Sequence, residues 1–264
     1  MTQVGQCRLC LSSGVQLLDS HVIPKWAYNW IVQRTPNARN PVLVSPGKAY
    51  TSSKQRKTYL LCRPCENLIG ASETYVSSRL RHGQSIRSFN ESLVELAVCP
   101  SADRRLVGLG NWDRNRLVHF GASILWRWHV YPWAKEKLVL GSQYGEAFRQ
   151  YVLGATTFPS NATVIIQCFE DSPGGKCNYE EMIYEPSKVA HPGYDVHHFF
   201  VCGIRYIFAL GRHIPRDLTE SCLVRGQPAG VAIMTPTSDL VDLVAPLVGP
   251  IIAKTGGVLG KRRT

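Results

Sequence analysis

Cys62-Arg63-Pro64-Cys65-Glu66-Asn67 is the stretch on which the reading of the fold turns, and the β-prone run Thr58-Tyr59-Leu60-Leu61 leads into it. Pro64 is suited to the first turn of a helix, so the chain delivers one thiol at the end of a strand and the other at a helix start. The partial positive charge of a helix N-terminus favours thiolates in that position. The matching half is Cys7-Arg8-Leu9-Cys10, a tight turn near the beginning of the chain. Two C-x-x-C pairs in this context are read as one tetrahedral site in which Cys7, Cys10, Cys62 and Cys65 hold a structural Zn²⁺, with a redox pair as the competing reading. Four protein ligands leave no open coordination position, so such a zinc fastens a long loop and places what the loop carries.

Between the pairs, Val15-Gln16-Leu17-Leu18 reads as extended and runs into Asp19-Ser20-His21. Pro24 opens a helix whose apolar stripe, Trp26, Tyr28, Trp30 and Ile31, continues to about Arg34 and is expected in the core. Residues 35–58, rich in Pro, Asn, Ser, Gly and basic side chains, read as an exposed insertion or loose hairpin. It ends in Lys54-Gln55-Arg56-Lys57, which suits phosphate contact but also a solvated loop. After Pro64 the helix runs through Ile69, Val76 and Leu80, with Glu66 and Glu73 on one face.

The chain of 264 residues, 44% hydrophobic, is long enough to bury a substantial core. Its net charge of +11 points to a polyanionic partner, and the excess is concentrated early: residues 1–95 hold 12 Lys and Arg against five Asp and Glu. Cys99, Cys168, Cys177, Cys202 and Cys222 are scattered, as buried thiols in a reducing compartment would be. The first residues show neither a basic n-region nor an apolar h-region, so a cytoplasmic location is expected. The longest apolar run, near Leu243–Ala253, is broken by Pro246, Gly249 and Pro250, so no membrane span is expected and the run is read as docking on the body.

Beyond residue 95 the pattern changes. Cys99–Arg105 reads as a linker, Trp112–Trp133 and Gln143–Leu153 as helices, and Thr163–Phe169, Asn178–Tyr184, His198–Ile207 and Ala229–Met234 as strands. The expected architecture is α+β: a treble-clef zinc module over residues 1–95, then an α+β domain over residues 96–264 with two helices and several antiparallel strands. His119, His129, His197 and His198 lack companion acids at ligand spacing and are expected in structural roles.

Together Cys7-x-x-Cys10, Ser20-His21-Val22-Ile23-Pro24-Lys25-Trp26 and Leu60-Leu61-Cys62-x-x-Cys65-Glu66 resemble bacterial HNH-type, treble-clef (ββα-metal) endonuclease-like proteins whose middle motif reads Ser-His-Ile-Ile-Pro-Lys-Phe. Leu125-Trp126-Arg127 is similar to a later segment of that group. The resemblance covers residues 7 to about 75, with a looser echo to about 155.

The resemblance implies that His21 is a general base and that a divalent ion, Mg²⁺ or Mn²⁺, is held by Glu66, Asp19 and Glu73, with Asn67 in reserve. It departs from the common pattern in having Ser20 where an Asp is usual, Glu66 where a His is usual, and Lys57 in place of a middle Asn. The implied function is metal-dependent hydrolysis of phosphodiester bonds, DNA favoured, with host defence as an analogy. Lys25, Lys54, Arg56, Lys57 and Arg63 are the nucleic-acid contacts in this reading. The alternative is a non-catalytic zinc module that binds nucleic acid or a protein, with the C-terminal domain as the surface for a protein partner.

Overall fold

A computed structural model describes residues 3–34, 42–45, 48–52, 54–82, 85–86, 89–98, 105–132, 140–170, 182–225 and 231–236. Its first part holds β1 (Gln3–Gly5), β2 (Val15–His21), α1 (Lys25–Arg34), β3 (Val42–Ser45), β4 (Lys48–Thr51), β5 (Lys57–Cys62), α2 (Arg63–Arg79), β6 (Arg81–His82) and β7 (Ser85–Ile86). There follow β8 (Val94–Val98), β9 (Arg105–Gly108), α3 (Arg114–Val130), α4 (Gly141–Leu153), β10 (Ala162–Glu170), β11 (Met182–His191), β12 (Tyr194–Val201), β13 (Ile204–Gly211), α5 (Arg216–Glu220) and β14 (Val231–Pro236). The fold is α+β, as the pattern predicts. Leu243–Ala253, Cys99 and Cys177 lie outside the described residues. Among the described residues no helix is long and apolar enough to cross a membrane.

A small antiparallel sheet, β1-β2-β5, carries the cysteine and histidine motifs. The larger sheet runs β4-β3-β11-β12-β13-β10-β14-β9-β8 and is antiparallel except at β3–β11 and β10–β14. The hairpin β3–β4, from the insertion between the cysteine pairs, is therefore the outer edge of a sheet built mostly from residues beyond 100.

Helix α3 lies between the large sheet and the N-terminal helices. Asp113 caps it by accepting from the Asn115 and Arg116 amides at 3.0 and 3.2 Å. From Leu117 to Trp128 it is buried on nearly every side, as a helix enclosed by other layers must be. Gly121 permits the closest approach: a Cβ there would lie 2.4 Å from the Tyr206 ring on β13. On the other side, Phe120 meets Trp26 of α1 at a ring separation of 5.8 Å. His119 ties three helices together. The Val152 carbonyl of α4 can only accept, so Nε2 donates across 3.0 Å, leaving Nδ1 to accept from Ser72 of α2 at 2.7 Å. Leu9, Ile23, Ile69, Trp126, Phe148 and Phe208 all belong to one buried cluster, which spans both parts of the chain.

One expectation changes. The strand read over His198–Ile207 is two strands, because Val201 pairs with Ile204 and Cys202-Gly203 forms a two-residue turn with φ of 52° and 78°. Positive φ at both central positions gives the twist that suits a tight hairpin. A cysteine in the first of these positions gives little warning of a turn. The stretch read as a linker is bordered by β8 and β9, which pair with each other at the far edge of the large sheet, while residues 99–104 lie outside the described residues. The strand expected at Asn178–Tyr184 is described from Met182, and Asn178–Glu181 lie outside the described residues.

Candidate functional site

The first cysteine pair sits in a knuckle closed by backbone hydrogen bonds from Leu11 N to the Cys7 carbonyl and from Cys7 N to the Ser12 carbonyl, both 2.9 Å. Leu11 takes a left-handed φ of 63° to make this turn, and Arg8 N bonds the Leu60 carbonyl of β5 at 3.0 Å. The second pair spans a strand end and a helix start: Cys62 is the N-cap of α2, and Cys65 lies in its first turn. The Cys62 amide donates to Cys7 Sγ at 3.3 Å, and Cys10 Sγ lies 3.7 Å from Cys62 Sγ.

All four sulfurs fall within 4.8 Å of one another. A tetrahedral ion with Zn–S bonds of about 2.3 Å requires sulfur separations of about 3.8 Å, so the donors fit. Cys7, Cys62 and Cys65 are buried and Cys10 is half-buried. Burial pushes the Cys10 thiol up, but hydrogen bonds with Ser12, Cys7 and Cys65 together outweigh it and bring it down to about 6. Burial raises Cys62 and Cys65, which a dication would offset. The four cysteines are thus positioned to bind a metal ion such as zinc.

His21 ends β2, directly across from Lys57 of β5, with Ser20 facing Thr58 and Asp19 facing Tyr59 after an irregularity at Leu18/Asp19. Alternation sends Ser20 inward and leaves Asp19 exposed. Ser20 Oγ donates to Glu66 Oε2 at 2.8 Å, so the residue that stands in the usual Asp position holds a carboxylate on α2. Lys57 Nζ donates to Asp19, and this bond in turn raises the Lys57 pKa. The His21 ring is half-buried; burial lowers its pKa, a hydrogen bond with the Gln55 side chain opposes this, Lys57 lowers it further, and Asp19 and Glu66 raise it. The imidazole is neutral near pH 7 as a result.

Glu73 has a different fate from Glu66. Arg127 of α3 donates to its Oε1 at 2.6 Å, and burial pushes the carboxyl up against the pull of that guanidinium. The candidate hard-metal ligands are therefore separately engaged, Asp19 by Lys57, Glu66 by Ser20 and Glu73 by Arg127. Among the described residues, the group that gathers three or more donor atoms within 4.8 Å is the cysteine set.

Lys25, Lys54 and Arg63 are exposed, as phosphate contacts need to be. Arg56 is partly buried and donates to Glu185 of β11 at 2.8 Å. Motif reading overlooked the residues that hold the site from outside: Gln55, Glu185, Arg149 and the buried side chain of Arg127. One signal was available for Arg127, a cation inside the apolar run Ile124-Leu125-Trp126-Arg127-Trp128, which demands a buried partner. The chain matches no family model, no curated protein and no solved structure.

Proposed function

We propose that this chain is a metal-dependent, HNH-like endonuclease that hydrolyses phosphodiester bonds in nucleic acid, DNA favoured. The observation that supports the reading is the placement of half-buried His21 at the end of β2, next in sequence to Ser20, whose hydroxyl holds the Glu66 carboxylate, with burial lowering the imidazole pKa. A neutral imidazole with one ring nitrogen bonded to Gln55 has the other to accept a proton from water, which generates the nucleophile. Mg²⁺ or Mn²⁺ would be held by Glu66 and, once released by Lys57, by Asp19; it would stabilise charge on the phosphate and leaving oxygen. Glu73 does not fit that set, because Arg127 already neutralises it. Lys25, Lys54 and Arg63 supply exposed positive charge to hold the phosphate backbone near His21.

A second reading, a non-catalytic zinc module that binds nucleic acid or a protein, is favoured by the Asp19–Lys57 and Glu73–Arg127 pairs, which occupy two of the three carboxylates. The zinc-loaded chain with Mg²⁺ or Mn²⁺, incubated with single- and double-stranded DNA and with RNA, separates the two. Cleavage that drops about 100-fold or more in His21→Ala supports the enzyme. Intact nucleic acid in every reaction, with binding retained, leaves the module.

A further inference from the structure

We infer that the region beyond residue 95 braces the proposed site, and that Arg127 is its positioning residue, orienting the backbone that carries His21. Arg127 is 1% exposed. Its Nη1 donates to the His21 carbonyl at 2.6 Å, its Nη2 to Glu73 at 2.6 Å and to Ser123 Oγ at 3.3 Å, and its Nε to the Ser123 carbonyl at 3.2 Å. The guanidinium is thus anchored on its own helix while joining the end of β2 to α2. An apolar side chain of similar volume would fill the space without burying an ion pair, but only a planar fork reaches both points at once.

The peptide unit between His21 and Val22 is gripped at both ends. Its carbonyl accepts from Arg127, and its N–H, that of Val22, donates to the Arg56 carbonyl at 2.9 Å. Arg56 is itself fixed through its side chain to the buried Glu185 of β11. A third tie runs to the metal corner: buried Arg149 of α4 donates to the Leu9 carbonyl inside the first cysteine knuckle. Three charged groups from α3, α4 and β11 therefore contact the knuckle, the His21 strand and the segment leading into β5. With both ends of its following peptide held, His21 cannot rotate its peptide plane without breaking one of these two hydrogen bonds. Geometry of this kind governs rate, since a displacement of about 1 Å can cost about 100-fold.

The kinetic part of this inference rests on the nuclease reading, whereas the structural part does not. The test uses the full zinc-loaded chain and the variants Arg127→Met and Arg127→Lys, with zinc content and Tm as checks on folding. In Arg127→Met, amide exchange at Val22 is expected to quicken about 10-fold or more while central sheet amides such as Ile166 keep wild-type rates. The kcat for DNA cleavage is expected to fall about 100-fold with KM within about 3-fold. Arg127→Lys, which can reach one of the two acceptors, recovers part of both effects. If Arg127→Met does not fold, Glu73→Gln, which removes the opposing charge and leaves the bond to His21, is expected to show the same changes at smaller amplitude. A folded Arg127 variant with wild-type Val22 exchange and wild-type kcat overturns the brace. If the wild-type chain cleaves nothing, the nuclease reading fails, and the exchange measurement alone decides whether Arg127 orients the strand.

Discussion

The thiols of Cys7, Cys10, Cys62 and Cys65 and the carboxylates of Asp19, Glu66 and Glu73 lie in the same module, yet the sulfurs converge within 4.8 Å while each carboxylate is engaged by a separate partner. Thiols are weak hydrogen-bond partners, so little else in the fold competes for them, and knuckle and helix-start geometry turns them toward one point. Carboxylates accept hydrogen bonds strongly and find donors wherever the chain supplies them. The sulfur corner is an assembled site, whereas at the carboxylate corner Asp19 would have to leave Lys57 before it could join Glu66 on a hard cation.

The largest effect should come from breaking the sulfur corner. Cys62→Ser removes a ligand but leaves a residue suited to cap α2, where the Cys62 side chain makes no capping bond, so the bound zinc should fall from about one per chain toward zero, with loss on the order of 10 kcal/mol of metal-binding free energy. Metal analysis alongside thermal unfolding checks this; a variant that keeps both metal and Tm would defeat the structural-zinc reading. Ser20→Ala tests the middle case, in which a neutral donor holds a carboxylate. It should cost about 1–2 kcal/mol in urea unfolding, and if Glu66 holds Mn²⁺, it should weaken that binding about 10-fold because the ligand is no longer aimed. The smallest effect is expected from Lys57→Gln. The Asp19–Lys57 pair is exposed, so Tm should not measurably change. Mn²⁺ binding should tighten as Asp19 is released, and unchanged affinity would remove Asp19 from the ligand set.

What the sequence discloses follows the range over which each signal acts. The four-sulfur set is legible because each pair is local, and α2 is legible because Pro64 marks its start and Ile69, Val76 and Leu80 its buried face. The stripe of α1 also reads correctly for Tyr28, Trp30 and Ile31, which are buried, while Trp26 is half-buried against the core. The hairpin at Cys202-Gly203 is missed because β-prone residues continue through it and the turn depends on a backbone conformation that Cys rarely adopts. The partners of the candidate carboxylates are less visible still. Arg127 lies 54 positions from Glu73, and Glu185 lies 129 from Arg56, so nothing in either local pattern names the other. His21 can be singled out from its motif, but the support of its backbone comes from α3.

The parallel pairing of β3 with β11 sets an order of events during synthesis. The zinc corner can close once Cys65 has emerged, but Val42–Val44 must wait for Met182–Tyr184, well over a hundred residues later. At about 5–20 residues per second, that interval lasts on the order of 10 s. Until then the hairpin inserted between the cysteine pairs has an unpaired edge, and Arg127 and Arg149 reach the module only as α3 and α4 are made. A bound metal would hold the two ends of the insertion together throughout that wait, acting as a clasp in time as well as in space.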